Sequence, residues 1–446
     1  MRTLYNILFT IFFVLASPYY FWRMSKRGNW RAGFRERFGR YNANLKQALT
    51  NRHILWLHAV SVGEVNACIH LIKALEVRAP NLKFVVSTTT TTGMGDLKRR
   101  LATHISKIYY PIDRAGYVAR ALATVHPDAI VLLEKEIWPN FIWRAKKKGI
   151  PLLLANAALS DRSYPRYKRL GFLFRNLFGS FDTVCAQDET QAERFRAVGC
   201  RPECVHTVGN LKFDGATVPE KKTLDVGGML KQLSVDADAP ILVAGSTHDG
   251  EEVILAEIVQ RLRAKIPKLF FIIVPRHFER SNEVARKLRE RGVKLAFRTS
   301  IGPTTQFKQG EVDCLLVNTT GELRFFYEYA TVVFIGKSMT AEAEGGQNPI
   351  EAAAFGKATV FGPNMQNFKD VARLFIEKNG AVQVRDAVML EKVLGELLVD
   401  KYQRAELGRN ALLVVSENIG ALDRTVDMII EKLKPLGIYI VPPLKL

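Results

Sequence analysis

The sequence has little that supports disulfide, metal or dinucleotide chemistry. Five cysteines (Cys68, Cys185, Cys200, Cys204, Cys314) in 446 residues are an odd, scattered set. They build no disulfide framework and read as reduced thiols in a cytosolic domain. Cys200 and Cys204 would be half of a metal site, but no second pair or nearby histidine cluster completes it. No G-x-G-x-x-G fingerprint occurs, which argues against a dinucleotide dehydrogenase. Repeats and low-complexity segments are absent as well.

Acidic residues are also scarce. Lys+Arg 64 against Asp+Glu 44 leaves a net charge of +20. Such a surplus suits nucleic acid, an anionic membrane surface or a phosphorylated substrate. The N-terminal segment points to the membrane. Leu4 to Trp22 carries no charge and is about as long as a helix needs to be to cross a bilayer's hydrocarbon. Tyr19, Tyr20 and Trp22 stand at its exit, where aromatic rings favour the headgroup level. Arg23, Lys26, Arg27, Arg31, Arg35, Arg37 and Arg40 follow, against the single acid Glu36. The positive-inside rule puts that side, and the domains after it, on the cytoplasmic face of the membrane. No small-x-small cleavage site follows, so an uncleaved anchor is expected, either spanning or lying in the interface.

At this length two domains are expected. From His53 onward, short apolar runs alternate with amphipathic stretches, as in parallel sheets covered by helices. Strands are expected at His53–Val60, Leu82–Ser87, Ala129–Leu133, Pro151–Ala155 and Thr183–Ala186, with a helix at Glu64–Glu76. After a polar connector, further strands are expected at Pro240–Ala244, Leu269–Val274, Val312–Asn318, Val332–Gly336 and Ala358–Gly362. The expected organisation is therefore an anchor with its basic flank (1–30), a first domain (31–215), a linker (216–239) and a second domain (240–446). Each domain would be an α/β doubly wound, Rossmann-like unit, the two facing a cleft.

Four segments carry candidate chemistry. In His58–Asn66 a strand ends, Gly63 permits a tight turn and Glu64 opens a helix, whose dipole would favour the carboxylate anion. An ionised carboxylate there can take a proton from a hydroxyl, although acids in a first helical turn also serve as plain caps. Gly245-Ser246-Thr247-His248, ahead of Glu251 and Glu252, can offer N–H groups and hydroxyls to phosphate, or be an ordinary N-cap. Val274-Pro275-Arg276-His277 places the Arg276 fork at a strand end, suited to a phosphate or carboxylate. Gly345-Gly346-Gln347-Asn348-Pro349-Ile350-Glu351 combines glycines for close approach, a proline at a helix start and a carboxylate suited to ribose hydroxyls.

Taken in order, these segments resemble the transferases of 3-deoxy-D-manno-oct-2-ulosonic acid (Kdo), GT-B enzymes of lipopolysaccharide assembly. The likeness covers almost the whole chain. It runs through Arg37-Phe38-Gly39, Ser61–Asn66, Thr88–Gly93, Glu136-Ile137-Trp138-Pro139-Asn140 and Asn210-Leu211-Lys212-Phe213-Asp214. It continues through Gly245–Thr247, Pro275-Arg276-His277, Gly321-Glu322-Leu323, Asn348–Glu351 and Asn367-Phe368. The resemblance implies CMP-Kdo as donor and a phosphorylated lipid A precursor (lipid IVA) as acceptor. It implies Glu64 as proton acceptor, with Glu136 and Lys212 as transition-state stabilisers. Pro275, Arg276, Thr320, Gly321, Glu322, Asn348, Pro349, Ile350 and Glu351 would contact CMP. No metal and no cofactor are expected, because Arg276, Lys212 and helix N-termini can stabilise departing CMP.

The chain departs from the family pattern at Gln347, Asn318-Thr319-Thr320, Ala158 and the acidic stretch 341–344. Another GT-B chemistry, such as a UDP-sugar transferase or a non-hydrolysing epimerase, fits Trp138-Pro139-Asn140 and Asn210–Asp214 less well. A nucleic-acid binder would need basic residues interleaved with aromatics, and none are seen. A silent lipid-binding scaffold has no reason to keep Glu64, Lys212 and Arg276 together.

Overall fold

The computed structural model describes residues 2–26, 31, 33–217, 224–340 and 345–442. The acidic stretch 341–344 and the first part of the expected linker, 218–223, lie outside them. The chain forms two compact units. One comprises Met1–Gly215 together with Ile419–Leu446, the other Ala216–Asn418.

The first unit carries a seven-stranded sheet: β1 His53–His58, β2 Leu82–Thr88, β3 Ser106–Tyr109, β4 Ala129–Leu133, β5 Leu152–Ala157, β6 Thr183–Ala186 and β7 Val205–Thr207. The order is β3-β2-β1-β4-β5-β6-β7, every pair parallel. Period-two alternation decides which side each residue faces. Ile54, Trp56, Ile130, Leu132, Leu152 and Leu154 enter one core, while Leu55, Leu57, Val131, Leu133, Leu153 and Ala155 enter the other. Both faces are covered, so the strands read as nearly continuous apolar runs.

The second unit repeats the plan with β8 Ile241–Thr247, β9 Phe270–Pro275, β10 Leu295–Phe297, β11 Cys314–Leu316, β12 Val332–Ile335, β13 Ala358–Phe361 and β14 Val382–Gln383. Its order is β10-β11-β9-β8-β12-β13-β14, again all parallel. Strand order reverses between β1 and β4 in the first sheet and between β8 and β12 in the second. Loops diverge at such points and leave a crevice at the carboxyl ends of the strands.

Two expected boundaries are corrected. The second unit does not run to residue 446, because the helix Ala421–Leu433 belongs to the first unit. Its Val426, Ile429, Ile430 and Leu433 follow helical spacing and complete the core that covers β1 and β4. The Asp214 carboxylate fixes this return by accepting the N–H groups of Gly420 (2.7 Å) and Leu422 (2.8 Å). Nor is 216–239 linker throughout. Val226–Gln232 is a helix of the second unit with Val226, Met229 and Leu230 buried.

All five cysteines are free and buried. Among the described residues, no group of three His, Cys, Asp or Glu side chains is arranged to hold a metal ion.

Candidate active site

In the first unit the site grows from the ends of β1, β4 and β5. The β1 strand stops at His58 rather than Val60, because the Val60 N–H turns to the side chain of Glu64 (2.8 Å). Ser61 caps the helix Val62–Arg78 and accepts the Glu64 N–H at 3.2 Å. These bonds resemble a capping box, with Glu64 reaching the N–H of Val60 rather than that of the capping Ser61, and the structural role considered for Glu64 is therefore real. The carboxylate is also buried, at 2% exposure, with Glu134 and Glu136 close enough to act on it. Burial first, and the charge of Glu134 second, push its pKa up to about 7. The expected ionisation through the helix dipole is thus corrected. Desolvation and neighbouring acids outweigh the helix end, so Glu64 titrates near neutrality.

Lys212 lies alongside. Its Cε stands 3.8 Å from where a Cβ on Gly63 would sit, and its ammonium is 3.4 Å from Glu134. A polar chain fixes where Lys212 emerges. Asn156 accepts the Leu211 N–H (3.1 Å) and Asn210 accepts the Lys212 N–H (3.0 Å). Gln187 joins the two by donating to the Asn156 carbonyl (3.0 Å) and accepting from Asn210 (3.2 Å).

Glu136 faces a different group. The Trp138 indole N–H donates to it at 2.9 Å, and His58 Nε2 stands 3.7 Å away. Burial alone would raise its pKa, but these two neighbours and Lys135 bring it below the usual carboxylate range. At 3.7 Å the His58 contact is beyond hydrogen-bond range. His58 is fully buried and stacked 3.8 Å from Tyr110, with Nδ1 3.0 Å from the Ser87 carbonyl. The Ser87 hydroxyl lies at the same distance from Nδ1.

Glu134 is the residue that sequence reasoning missed. Its φ of 54° is left-handed, as is that of Asn156 at 53°. In the second unit Ser246 (φ 56°), near the end of β8, and Lys337 (φ 58°), after β12, do the same. Non-glycine residues held in this region cost free energy and cluster at functional sites. The signal available in the sequence was position, since Glu134 directly follows β4 at the reversal of strand order.

In the second unit the expected donor-binding residues occupy the ends of β8 and β9 and the segments after β9, β11 and β12. Gly245 is bare because the Tyr327 hydroxyl would lie 2.2 Å from a Cβ there. Thr247 is fully buried, and its hydroxyl has no hydrogen-bond partner among the described residues. Pro275 ends β9, and Arg276 is exposed, its backbone N–H donating to the Thr247 carbonyl at 3.0 Å. Thr320 and Gly321 are exposed, with Gly321 left-handed (φ 87°). The Glu322 carboxylate accepts from Arg298 (3.0 Å) and from the Thr319 hydroxyl.

Three details differ from expectation. The His248 N–H is taken by Glu251 (2.9 Å), so this turn does not present that N–H outward. Gly345 and Gly346 make room for Asn367 and Met365, whose atoms would lie 2.3 and 2.5 Å from a Cβ at each. The helix after Pro349 is only Ile350–Ala353, too short for much of a dipole, and Asn348 caps it by accepting the Ile350 N–H (3.1 Å). Asn348 also donates to Glu351 at 3.2 Å. Of the departures, Asn318 ties its loop to Thr299, accepting its N–H (3.1 Å) and donating to its hydroxyl (2.8 Å).

Comparison with known proteins bears on the family and the fold. Residues 32–215 match the family described as 3-deoxy-D-manno-octulosonic-acid transferase (kdotransferase). The 3-deoxy-D-manno-octulosonic acid transferase of Haemophilus influenzae is 32% identical over 378 residues, 84% of this chain and 86% of that protein. That of Bordetella pertussis is 32% identical over 420 residues, 91% and 94% of the two chains. Among solved structures, a glycosyltransferase from Rickettsia africae aligns with a TM-score of 0.51 at 13% identity, covering 86% of this chain and 99% of that one. A UDP-GlcNAc 2-epimerase from Neisseria meningitidis, bound to UDP-GlcNAc, aligns at 0.54 and 14% identity, covering 86% and 100%. These two likenesses concern the fold, which is of the GT-B type. With curated relatives above 30% identity along most of its length, the chain belongs to the Kdo transferase family and is a glycosyltransferase.

Proposed function

We propose that the enzyme transfers Kdo from CMP-Kdo to a hydroxyl of a phosphorylated lipid A precursor, lipid IVA, at the cytoplasmic face of the inner membrane, with Glu64 as general base. The observation that carries this is Glu64 itself, a buried carboxylate with a pKa near 7 at the reversal of strand order. A sugar hydroxyl must lose its proton as it attacks the anomeric carbon, and a base poised near the working pH suits that step best. Lys212, held by Glu134, would supply positive charge at the reacting centre as CMP departs, and Glu136 would hold negative charge beside it. In the second unit, Pro275 and Arg276, Thr320–Glu322 and Asn348–Glu351 would hold the nucleotide. Gly245, Ser246 and the unpartnered Thr247 hydroxyl would lie near its phosphate.

The test is to incubate purified protein with CMP-Kdo and a tetraacylated lipid A precursor, with and without a chelator, and read product mass. A mass increase of one or more Kdo residues in both conditions is expected. No product would overturn the substrate assignment. Loss in chelator restored by magnesium would overturn metal independence.

A further inference from the structure

The N-terminal helix Arg2–Lys26 contains the stretch Arg2–Tyr20, long and apolar enough to cross a membrane. Its beginning, however, is tied to the first unit. The Tyr5 hydroxyl donates to Asp113 at 2.7 Å, and the Asn140 amide donates to the Asn6 side chain at 2.9 Å. The Tyr5 ring meets Trp143 edge-on at 5.6 Å, and the Arg2 guanidinium lies over the same indole. Asp113 belongs to the unit's own framework, since it also accepts the N–H groups of Asn140 and Phe141 at 2.9 Å.

The chain after the helix returns to the same corner. Glu36 accepts the Tyr109 N–H (2.8 Å), Arg37 donates to the Thr89 carbonyl (2.8 Å), and Phe38 packs on Tyr117 (5.3 Å). Tyr109 ends β3, Asp113 follows it and Tyr117 lies in the first turn of the helix Ala115–Val125. A helix crossing the bilayer along its normal would carry Tyr5 about 30 Å from Lys26, to the far side. The contacts place both flanks of the helix on one unit.

Along the helix, Asn6, Thr10 and Ser17 stand on one line and bond carbonyls of their own helix, those of Arg2, Asn6 and Phe13. Leu4, Leu8, Ile11 and Leu15 lie on the opposite side and are at least half exposed. Beside the docked end, Arg2, Arg144 and Lys147 line a pocket of about 380 Å³, matching an anionic headgroup layer.

We propose that this helix does not cross the bilayer. It lies along the cytoplasmic leaflet with both ends on the cytoplasmic side, its Leu4–Leu15 face in the acyl region. The inference rests on the reading that the enzyme is membrane-attached, and deepens it.

The test uses the full chain carrying a polar tag with a protease site ahead of Met1, in membrane vesicles of either orientation. A second tag after Leu446 reports vesicle orientation. Protease added outside should remove the N-terminal tag from inside-out vesicles and leave it on right-side-out ones. Removal from right-side-out vesicles would show a spanning helix and overturn the proposal. So would a tag that resists protease in both, because a cytoplasmic tag must be cut in inside-out vesicles. Recovery of the protein in the soluble fraction is a separate outcome. It would overturn membrane attachment itself.

Discussion

The two units carry the same device at equivalent places, a glutamate in the first turn of the helix that follows the sheet's first strand. Glu251 is fully buried and accepts four backbone N–H groups, from His248, Lys337, Ser338 and Met339 at 2.7–2.9 Å. Glu64 is equally buried and accepts one, from Val60. Glu251 uses its oxygens to hold the loop after β12 against β8. Glu64 closes its capping box with one oxygen and has other carboxylates for neighbours instead of amides. Residue type, position and burial are shared, so the difference in role comes from the number of donors each carboxylate meets. A carboxylate met by four N–H groups is structural cement, and one met by a single N–H keeps capacity for a proton.

The largest effect expected from this contrast is on turnover. Glu64→Gln keeps the capping box, since glutamine also serves there, but removes the base. The rate of Kdo transfer should fall by about 10²–10⁴-fold, measured with saturating donor and lipid. Next comes Lys212→Met, which removes the cation paired with Glu134. A loss of about 10²–10³-fold in kcat is expected, as for other preorganised charge-stabilising groups. Combining it with Glu134→Gln should cost less than the product of the single losses, because the two act as one pair. Additive losses would separate them. Arg276→Ala, in the second unit, should instead raise KM for the nucleotide donor about ten- to a hundredfold with little change for the lipid. Equal changes for both substrates would place Arg276 elsewhere.

The smallest effects are on stability, and they should have opposite signs. Glu251→Gln puts an amide NH₂ where backbone N–H groups converge and should destabilise by about 2–3 kcal/mol. Glu64→Gln should stabilise at pH 8 by about 1–3 kcal/mol, because the native state no longer holds a buried anion. The sign follows from linkage. A carboxyl whose native pKa is raised to about 7 favours folding at low pH, and that contribution is lost as pH rises through 7. The advantage of Glu64→Gln should therefore vanish near pH 5. Thermal unfolding at the two pH values checks it, and equal shifts for both variants would erase the contrast.

Much of this architecture was legible in the sequence. Every strand expected from an apolar run exists, including Ala129–Leu133 and Thr183–Ala186 with the same bounds. The four strands that were missed, β3, β7, β10 and β14, are the four edges of the two sheets. Each has at most four residues and half-exposed positions, because an edge strand is covered less and needs fewer apolar side chains. The C-terminal helix was assigned to the wrong unit for a related reason. The pattern of Val426, Ile429, Ile430 and Leu433 predicts a buried face but does not say which sheet it covers. At the candidate site, Glu64 and Lys212 were readable as motif residues. Glu134 was not, because its pairing with Lys212 and its left-handed backbone exist only once β4 and β5 are side by side.

The central claim is that a single buried carboxylate at the end of β1, titrating near neutrality, limits the reaction. The pH dependence of kcat/KM for the lipid acceptor tests it most directly. The wild-type rate should rise with pH along one limb with an apparent pKa of about 7, and Glu64→Gln should show a low rate without that limb. A Glu64→Gln variant that keeps both the wild-type rate and the same limb would make Glu64 a helix cap only and place the base elsewhere.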